Sequence, residues 1–152
     1  MRAKRAVRVV HAGTPYGARL IAEAPFDAGE VIAPLPSGKV SAHPTRYSIQ
    51  VDEHAHWEDI GPLVYLNHSC RPSVIVDTTR LAVVAARNLE PGDELTFFYP
   101  STEWEMANPF TCLCGAPSCI HTVGGAKALP RPVLDQYFLN DHIRHLLDGA
   151  PG

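Results

Sequence analysis

The plainest chemistry in this 152-residue chain belongs to its four cysteines. Cys112, Cys114 and Cys119 lie in the run Cys-Leu-Cys-Gly-Ala-Pro-Ser-Cys, and Cys70 stands far upstream. Three clustered thiolates and one remote thiolate can make a tetrahedral zinc site, and a structural site wants all its positions filled by protein. Gly115 and Pro117 let the loop wrap tightly around an ion. The competing reading is free buried thiols beside a fortuitous cluster. A redox pair fits less well, because the Cys-x-x-Cys spacing is absent. The histidines say less. His54 and His56 flank Ala55 and share a face if extended, but no third ligand is evident. His142 and His145 share a helix face that reads as solvated. His11, His43 and His121 carry no readable signal.

These groups need elements to hold them. Fourteen prolines and eleven glycines cut the chain into short pieces rich in β-branched residues. Strands are expected at 5–11, 18–22, 31–35 and 47–51, where apolar residues alternate or cluster between turn signals. Residues 74–77 and 81–85 form a hairpin across Thr78-Thr79-Arg80. Residues 95–98 form a short strand introduced by the turn Glu90-Pro91-Gly92-Asp93. Strands this short suggest several small curved sheets and no parallel βαβ sheet. Only the C-terminus looks helical. From Val133 the apolar residues recur at near-helical spacing, with Pro132 suited to the first turn and Gly149 to the end. Asn140-Asp141 is a natural break within it. Gly124-Gly125-Ala126-Lys127 reads as a linker into the helix.

Composition bounds the function classes. The chain is 45% hydrophobic and 19% charged, with a formal net charge of −3. That is an ordinary globular balance with no global attraction to nucleic acid or anionic membrane. No apolar run is long enough to span a bilayer. Arg8 interrupts the apolar stretch at the N-terminus, which argues against a secretory signal. Cytoplasmic or nuclear residence is the expectation, where thiols stay reduced and metal ligation outranks disulfides.

Two further runs name a family. They are Tyr65-Leu66-Asn67-His68-Ser69-Cys70-Arg71-Pro72-Ser73 and Gly92-Asp93-Glu94-Leu95-Thr96-Phe97-Phe98-Tyr99. With the cysteine cluster, they resemble the SET-domain protein lysine methyltransferases. That family carries R-F-x-N-H-S-C-x-P-N, then E-L-x-F-D-Y, then a post-SET C-x-C-x4-C, in this order. Pro15-Tyr16-Gly17 stands where a G-x-G motif is expected. The resemblance covers roughly residues 5 to 125. Pro15 departs from the first glycine, Val64-Tyr65 from Arg-Phe, Ser73 from the closing Asn, and Phe98 from the Asp. The insert before the Asn-His motif is minimal, and no cysteine-rich pre-SET domain fits.

The resemblance implies a mostly β fold of several small curved sheets with a pseudoknot and a C-terminal helical segment. It implies a SET domain over 1–110, a post-SET zinc loop over 111–125 and a helical extension over 126–152. It implies S-adenosylmethionine as methyl donor and one structural zinc held by Cys70, Cys112, Cys114 and Cys119. Tyr99 becomes the catalytic tyrosine, although taken alone it reads as a core aromatic ending a strand. Tyr47 matches a tyrosine lining the lysine channel. Phe97 stands where the family carries Phe or Tyr, and the Phe leaves room for di- or trimethyl-lysine. Tyr16, Gly17, Asn67 and His68 are implied cofactor contacts. Trp104 and Phe110 flank the post-SET loop and suit either adenine stacking or core packing. The implied partner is a lysine-containing protein or peptide, a histone among the candidates, with no direct nucleic-acid or membrane binding expected. An inactive SET-like peptide-binding module and a methyltransferase for a small peptide or metabolite amine are the alternatives. The acidic residues Asp52, Glu53, Glu58 and Asp59 could attract a basic peptide or form a solvated loop. The apolar stripe of the C-terminal helix suits either a cover for the core or a homodimer contact.

Overall fold

In the computed structural model the described residues are 7–11, 17–36, 39–45 and 47–149. Their strands are short and collect into two three-stranded and three two-stranded sheets. β1 (Val7–Val10) pairs antiparallel with β2 (Arg19–Ala22). β3 (Val31–Pro34), β8 (Val74–Asp77) and β9 (Ala82–Ala85) form one three-stranded sheet, with β9 central. β4 (Val40–Ser41), β5 (Ile49–Gln50) and β6 (His56–Trp57) form the other, with β6 central. β7 (Asn67–His68) pairs with β10 (Thr96–Phe97), and β11 (Phe110–Thr111) with β12 (Thr122–Val123). The expected mostly β architecture is therefore what the chain adopts.

Local chemistry explains the boundaries. The Asp77 carboxylate accepts the backbone N–H groups of Thr79 and Arg80, both at 3.1 Å, and so closes the β8–β9 hairpin. The Asp93 carboxylate accepts the Glu90 N–H at 2.9 Å, and Gly92 takes a φ of 96°. These two devices set the turn before β10, where only glycine adopts that φ cheaply. One continuous apolar core joins β2, β3, β8 and β9 to Leu63, Leu66, Leu95 and Phe97.

The unusual pairing is β7 with β10. It is parallel, with Thr96 opposite Asn67 and Phe97 opposite His68. Ser69 N–H donates to the Phe97 carbonyl and Ser73 N–H to the Thr96 carbonyl, both at 3.0 Å. Two sequence runs that lie far apart are thus laid side by side.

The C-terminal segment is helical as expected, and it is broken at Asn140. α1 (Arg131–Leu134) starts with Pro132 in its first turn, and α2 (Asp141–Gly149) follows. Two expectations are corrected. The stretch at Gly124–Lys127 is no loose linker. Gly125 has a φ of 108°, and a Cβ there would meet the Trp104 carbonyl oxygen at 2.3 Å. Ala126 is fully buried in a second apolar cluster with Phe98, Leu134, Leu139 and Ile143. His142 does not lie on a solvated face. It is buried, and its Nε2 lies 2.8 Å from the Thr102 carbonyl. Only His145 remains exposed, 3.6 Å from the Glu53 carboxylate. The C-terminal stripe covers a core of its own chain, because Leu134, Leu139 and Ile143 are consumed by that second cluster. No helix among the described residues is long and apolar enough to cross a membrane.

Candidate active site

The β7–β10 pair brings the two motifs to one cleft of about 670 Å³. Asn67, His68, Phe97, Tyr99 and Phe110 line it, with Tyr47 at its rim. Tyr99 leaves β10 at the start of a 3₁₀ turn over Tyr99–Ser101. Its ring lies edge-on to His68 and Phe110, at centroid distances of 5.3 and 5.9 Å, and tilted to Phe97 at 4.7 Å. Its hydroxyl donates to the Leu66 carbonyl at 2.6 Å. A hydroxyl whose proton is committed to a carbonyl offers lone pairs to an incoming N–H. It is therefore equipped to orient an amine.

His68 is buried, and its ring state follows from its partners. Nδ1 accepts the Tyr99 N–H at 3.1 Å, so the proton belongs on Nε2, which faces Cys70 Sγ at 3.3 Å. Burial lowers its pKa to about 4, which keeps the ring neutral at physiological pH. Asn67 donates its amide to the Ala18 carbonyl at 2.8 Å and to the Glu94 carboxylate at 3.1 Å. That ties β7 to the start of β2. Gly17, one residue before Ala18, has a φ of 93°. Tyr16 and Pro15 lie outside the described residues.

The four cysteine sulfurs all lie within 4.8 Å of one another. Cys70 and Cys112 are 3.9 Å apart. A tetrahedral ion with bonds of about 2.3 Å to sulfur needs edges of about 3.8 Å. Backbone N–H groups already point at the sulfurs. Ile120 donates to Cys70 at 3.3 Å, Cys114 to Cys112 at 3.4 Å, and His121 to Cys119 at 3.4 Å. His121 adopts a φ of 67° and Gly115 one of 74° to make the loop. As free thiols the buried pair is held in check: burial raises Cys70, and raises Cys112 to about 11. For Cys114 burial also acts upward, but N–H groups of Ala116 and Cys70 outweigh it, to about 7. A soft cation that takes all four as thiolates relieves the penalty. The donor set fits zinc, and the ion would fasten the 112–119 loop to Cys70, two residues from His68.

The remaining residues singled out from sequence divide. Phe110 sits in the cleft on β11, edge-on to His68 and Tyr99. Trp104 does not line the cleft; it packs on the cluster beneath the C-terminal helices. Tyr47 lines the cleft but is 59% exposed. Phe98 stacks on Tyr137 with centroids 3.6 Å apart and planes 3° from parallel. The Tyr137 hydroxyl donates to the Cys70 carbonyl at 2.8 Å. An aromatic at 98 is thus matched by an aromatic from the C-terminal segment.

Sequence reading missed a polar seam behind Tyr99. Glu103, also a cleft residue, accepts the Gln50 N–H and the Thr102 hydroxyl at 2.8 Å each. Burial raises its pKa to about 7. Asn140 donates to the carbonyls of Val76 and Ser101 and accepts from Thr78 N–H and Oγ1. Only the fourfold satisfaction of a fully buried amide marks Asn140 as important, and no sequence pattern shows that.

Comparison with known proteins completes the picture. The SET domain matches residues 17–100. "Methyltransferase flvH" of Aspergillus flavus is 37% identical over 145 residues, covering 94% of this chain and 82% of that protein. A "Histone-lysine N-methyltransferase, H3 lysine-36 specific" of Mycosarcoma maydis is 33% identical over 82 residues, 50% of this chain and 8% of that protein. Among solved structures, KRYPTONITE in complex with mCHG DNA and SAH superposes with a TM-score of 0.59 at 24% identity, covering 76% of this chain and 28% of that one.

Proposed function

This chain belongs to the SET-domain methyltransferase family, and on that premise we propose that it methylates the side-chain amine of a lysine in a protein or peptide. S-adenosylmethionine, when bound, supplies a methyl group on a sulfonium. The observation that carries the reading is Tyr99. Its hydroxyl is anchored on the Leu66 carbonyl at the wall of the cleft, among Phe97, His68 and Phe110.

The work left to this chain's residues is capture, neutralisation and alignment. Lysine with its ordinary pKa near 10.4 costs about 4–5 kcal/mol to neutralise at pH 7. The apolar walls given by Phe97, Ile49, Leu63 and Leu66 disfavour the ammonium. Tyr99 then holds the nitrogen in line. With its ordinary pKa near 10, a tyrosine is a poor base at neutral pH, so orientation is its role. Asn67, His68, Gly17 and Phe110 form the wall assigned to the cofactor, with Phe110 at the adenine end and Tyr16 assigned with Gly17 to the methionine end; Trp104, packed beneath the C-terminal helices, is not part of it. Cys70, Cys112, Cys114 and Cys119 would hold a structural zinc, which would fasten the loop of residues 111–125 beside that wall. The SET domain spans 1–110 and the helical extension 126–152.

Phe97 lacks a hydroxyl, so it cannot hold a water against the amine, and methylated intermediates keep room to turn. Di- or trimethyl-lysine is the expected product. Mass spectrometry should show steps beyond one methyl for wild type and a shift to monomethyl for Phe97→Tyr. Monomethyl alone from wild type contradicts this.

A second reading makes the acceptor a small amine. It is favoured by the relative that matches along nearly the whole chain, which is named only as a methyltransferase, whereas the histone-specific relative matches half. Tritiated-methyl transfer to histone H3, to a peptide library and to free amines separates the readings. Cofactor binding without transfer to any of them would make the chain a binding module.

A further inference from the structure

Among the described residues lining the cleft, Glu103 is the only acidic one, and none is a lysine or arginine. The residue is buried on the side formed by β5, next to Gln50. Both of its hydrogen bonds converge on Oε2, from the Gln50 N–H and the Thr102 hydroxyl. Oε1 takes none. Nor is it sealed away, for His56 Nδ1 alone among the described residues is an enclosed side-chain polar atom without a partner. Glu103 lines the cleft, and Oε1 is its one carboxylate oxygen without a partner among the described residues. The Glu103 N–H also donates to the Tyr99 carbonyl at 2.9 Å, so the backbones of the two residues are tied together.

We propose that Glu103 is the specificity-determining residue that captures the acceptor by its positive charge, with Oε1 accepting a hydrogen bond from a protonated aliphatic amine as it enters. Methyl acceptors of this protein then form a chemical class: cationic amines, whether on a peptide or free. The inference rests on the proposed amine methylation and adds the group that selects for it. Phe97 and the aliphatic walls reward a methyl group and penalise an ammonium, so they cannot by themselves select a cationic acceptor. A partly desolvated carboxylate can, since a charge-assisted hydrogen bond is roughly twice as strong as a neutral one.

The test compares Nα-acetyl-lysine amide with Nα-acetyl-norleucine amide at pH 8.5, where Glu103 is ionised and the lysine amine still protonated, titrated by calorimetry into the full zinc-loaded chain saturated with S-adenosylhomocysteine. Wild type should bind the lysine probe at least tenfold more tightly. Glu103→Gln keeps an acceptor oxygen for both hydrogen bonds but no charge, and should bring the two probes within twofold while leaving the S-adenosylhomocysteine affinity unchanged. Glu103→Asp, which keeps the charge but withdraws it by one methylene, should fall between and serves if the Gln chain does not fold. Equal binding of the two probes by wild type overturns the inference, as does a preference that survives in Glu103→Gln. A wild type that prefers lysine but transfers no methyl group leaves the inference standing and overturns the proposed reaction.

Discussion

The cleft face and the seam behind it meet at the backbone of Tyr99 and are built on opposite plans. On the cleft face, Asn67, His68, Phe97 and Tyr99 come from two unbroken runs brought together by a single parallel pair of strands. In the seam, Gln50, Thr102, Glu103, Asn140 and His142 come from three separate segments with no shared motif and bond mainly to backbone atoms. The difference teaches where chemistry and where support reside. A reacting group must be placed relative to its neighbours in the same motif. A supporting group needs only a carbonyl or N–H within reach.

If the loop of Cys112–Cys119 belongs to the cleft face, removing its metal should cause the largest loss. Chelation should lower the melting temperature by roughly 10 °C, about 3–4 kcal/mol for a chain of this size, and bring methyl transfer to background. Calorimetry with and without added zinc checks this. Unchanged melting would detach the cysteines from the fold. Next in size, Asn140→Ala strips four partners from the seam. It should cost about 3 kcal/mol in urea unfolding with kcat retained at low temperature. A variant equally stable but inactive would erase the distinction between the two regions.

Protonation sharpens the same contrast. His142 and His56 are held below their ordinary 6.5, chiefly by burial. Neutral in the fold, they gain protons on unfolding once the pH falls below 6.5, so their contribution to stability is lost in acid. Glu103 has the opposite sign. Burial raises it from 4.5 to about 7, so the fold holds a proton there that the unfolded chain has released. Its contribution is full below 4.5 and is lost as the pH rises through 7. Glu103→Gln should therefore raise stability at pH 8.5 by up to about 3 kcal/mol and change little at pH 4. Urea unfolding at the two pH values measures this, and a pH-independent effect would contradict it. The smallest expected effect is that of Phe97→Tyr, which should change product multiplicity while leaving stability within about 0.5 kcal/mol.

Legibility in the sequence tracks this division. The runs at 65–73, 92–99 and 112–119 carry their meaning in residue order, so the cleft motifs and the thiol cluster are legible in the sequence itself. Most strand positions were readable from β-branched runs and from turn chemistry such as Glu90-Pro91-Gly92-Asp93. The seam was not. His142 has the same helical spacing whether it faces solvent or the Thr102 carbonyl, and only packing against 101–103 decides. Gly125 read as part of a linker because a glycine required by the 2.3 Å approach of a distant carbonyl to any Cβ is spelled the same way. Trp104 flanks the zinc loop in sequence, yet its ring was drawn to the cluster around Leu134 and Ile143. Phe98 read as a defect in the motif until Tyr137 supplied its stacking partner.

The most direct test of the account is Tyr99→Phe, which removes one oxygen from the cleft and one 2.6 Å hydrogen bond to Leu66. Methyl transfer from S-adenosylmethionine, read by mass spectrometry under single-turnover conditions, should fall by about 10²–10⁴-fold. Unfolding free energy should change by no more than about 1.5 kcal/mol, and affinity for S-adenosylhomocysteine should hold. A Tyr99→Phe protein that transfers methyl groups at the wild-type rate would contradict the assignment of the chemistry to this cleft.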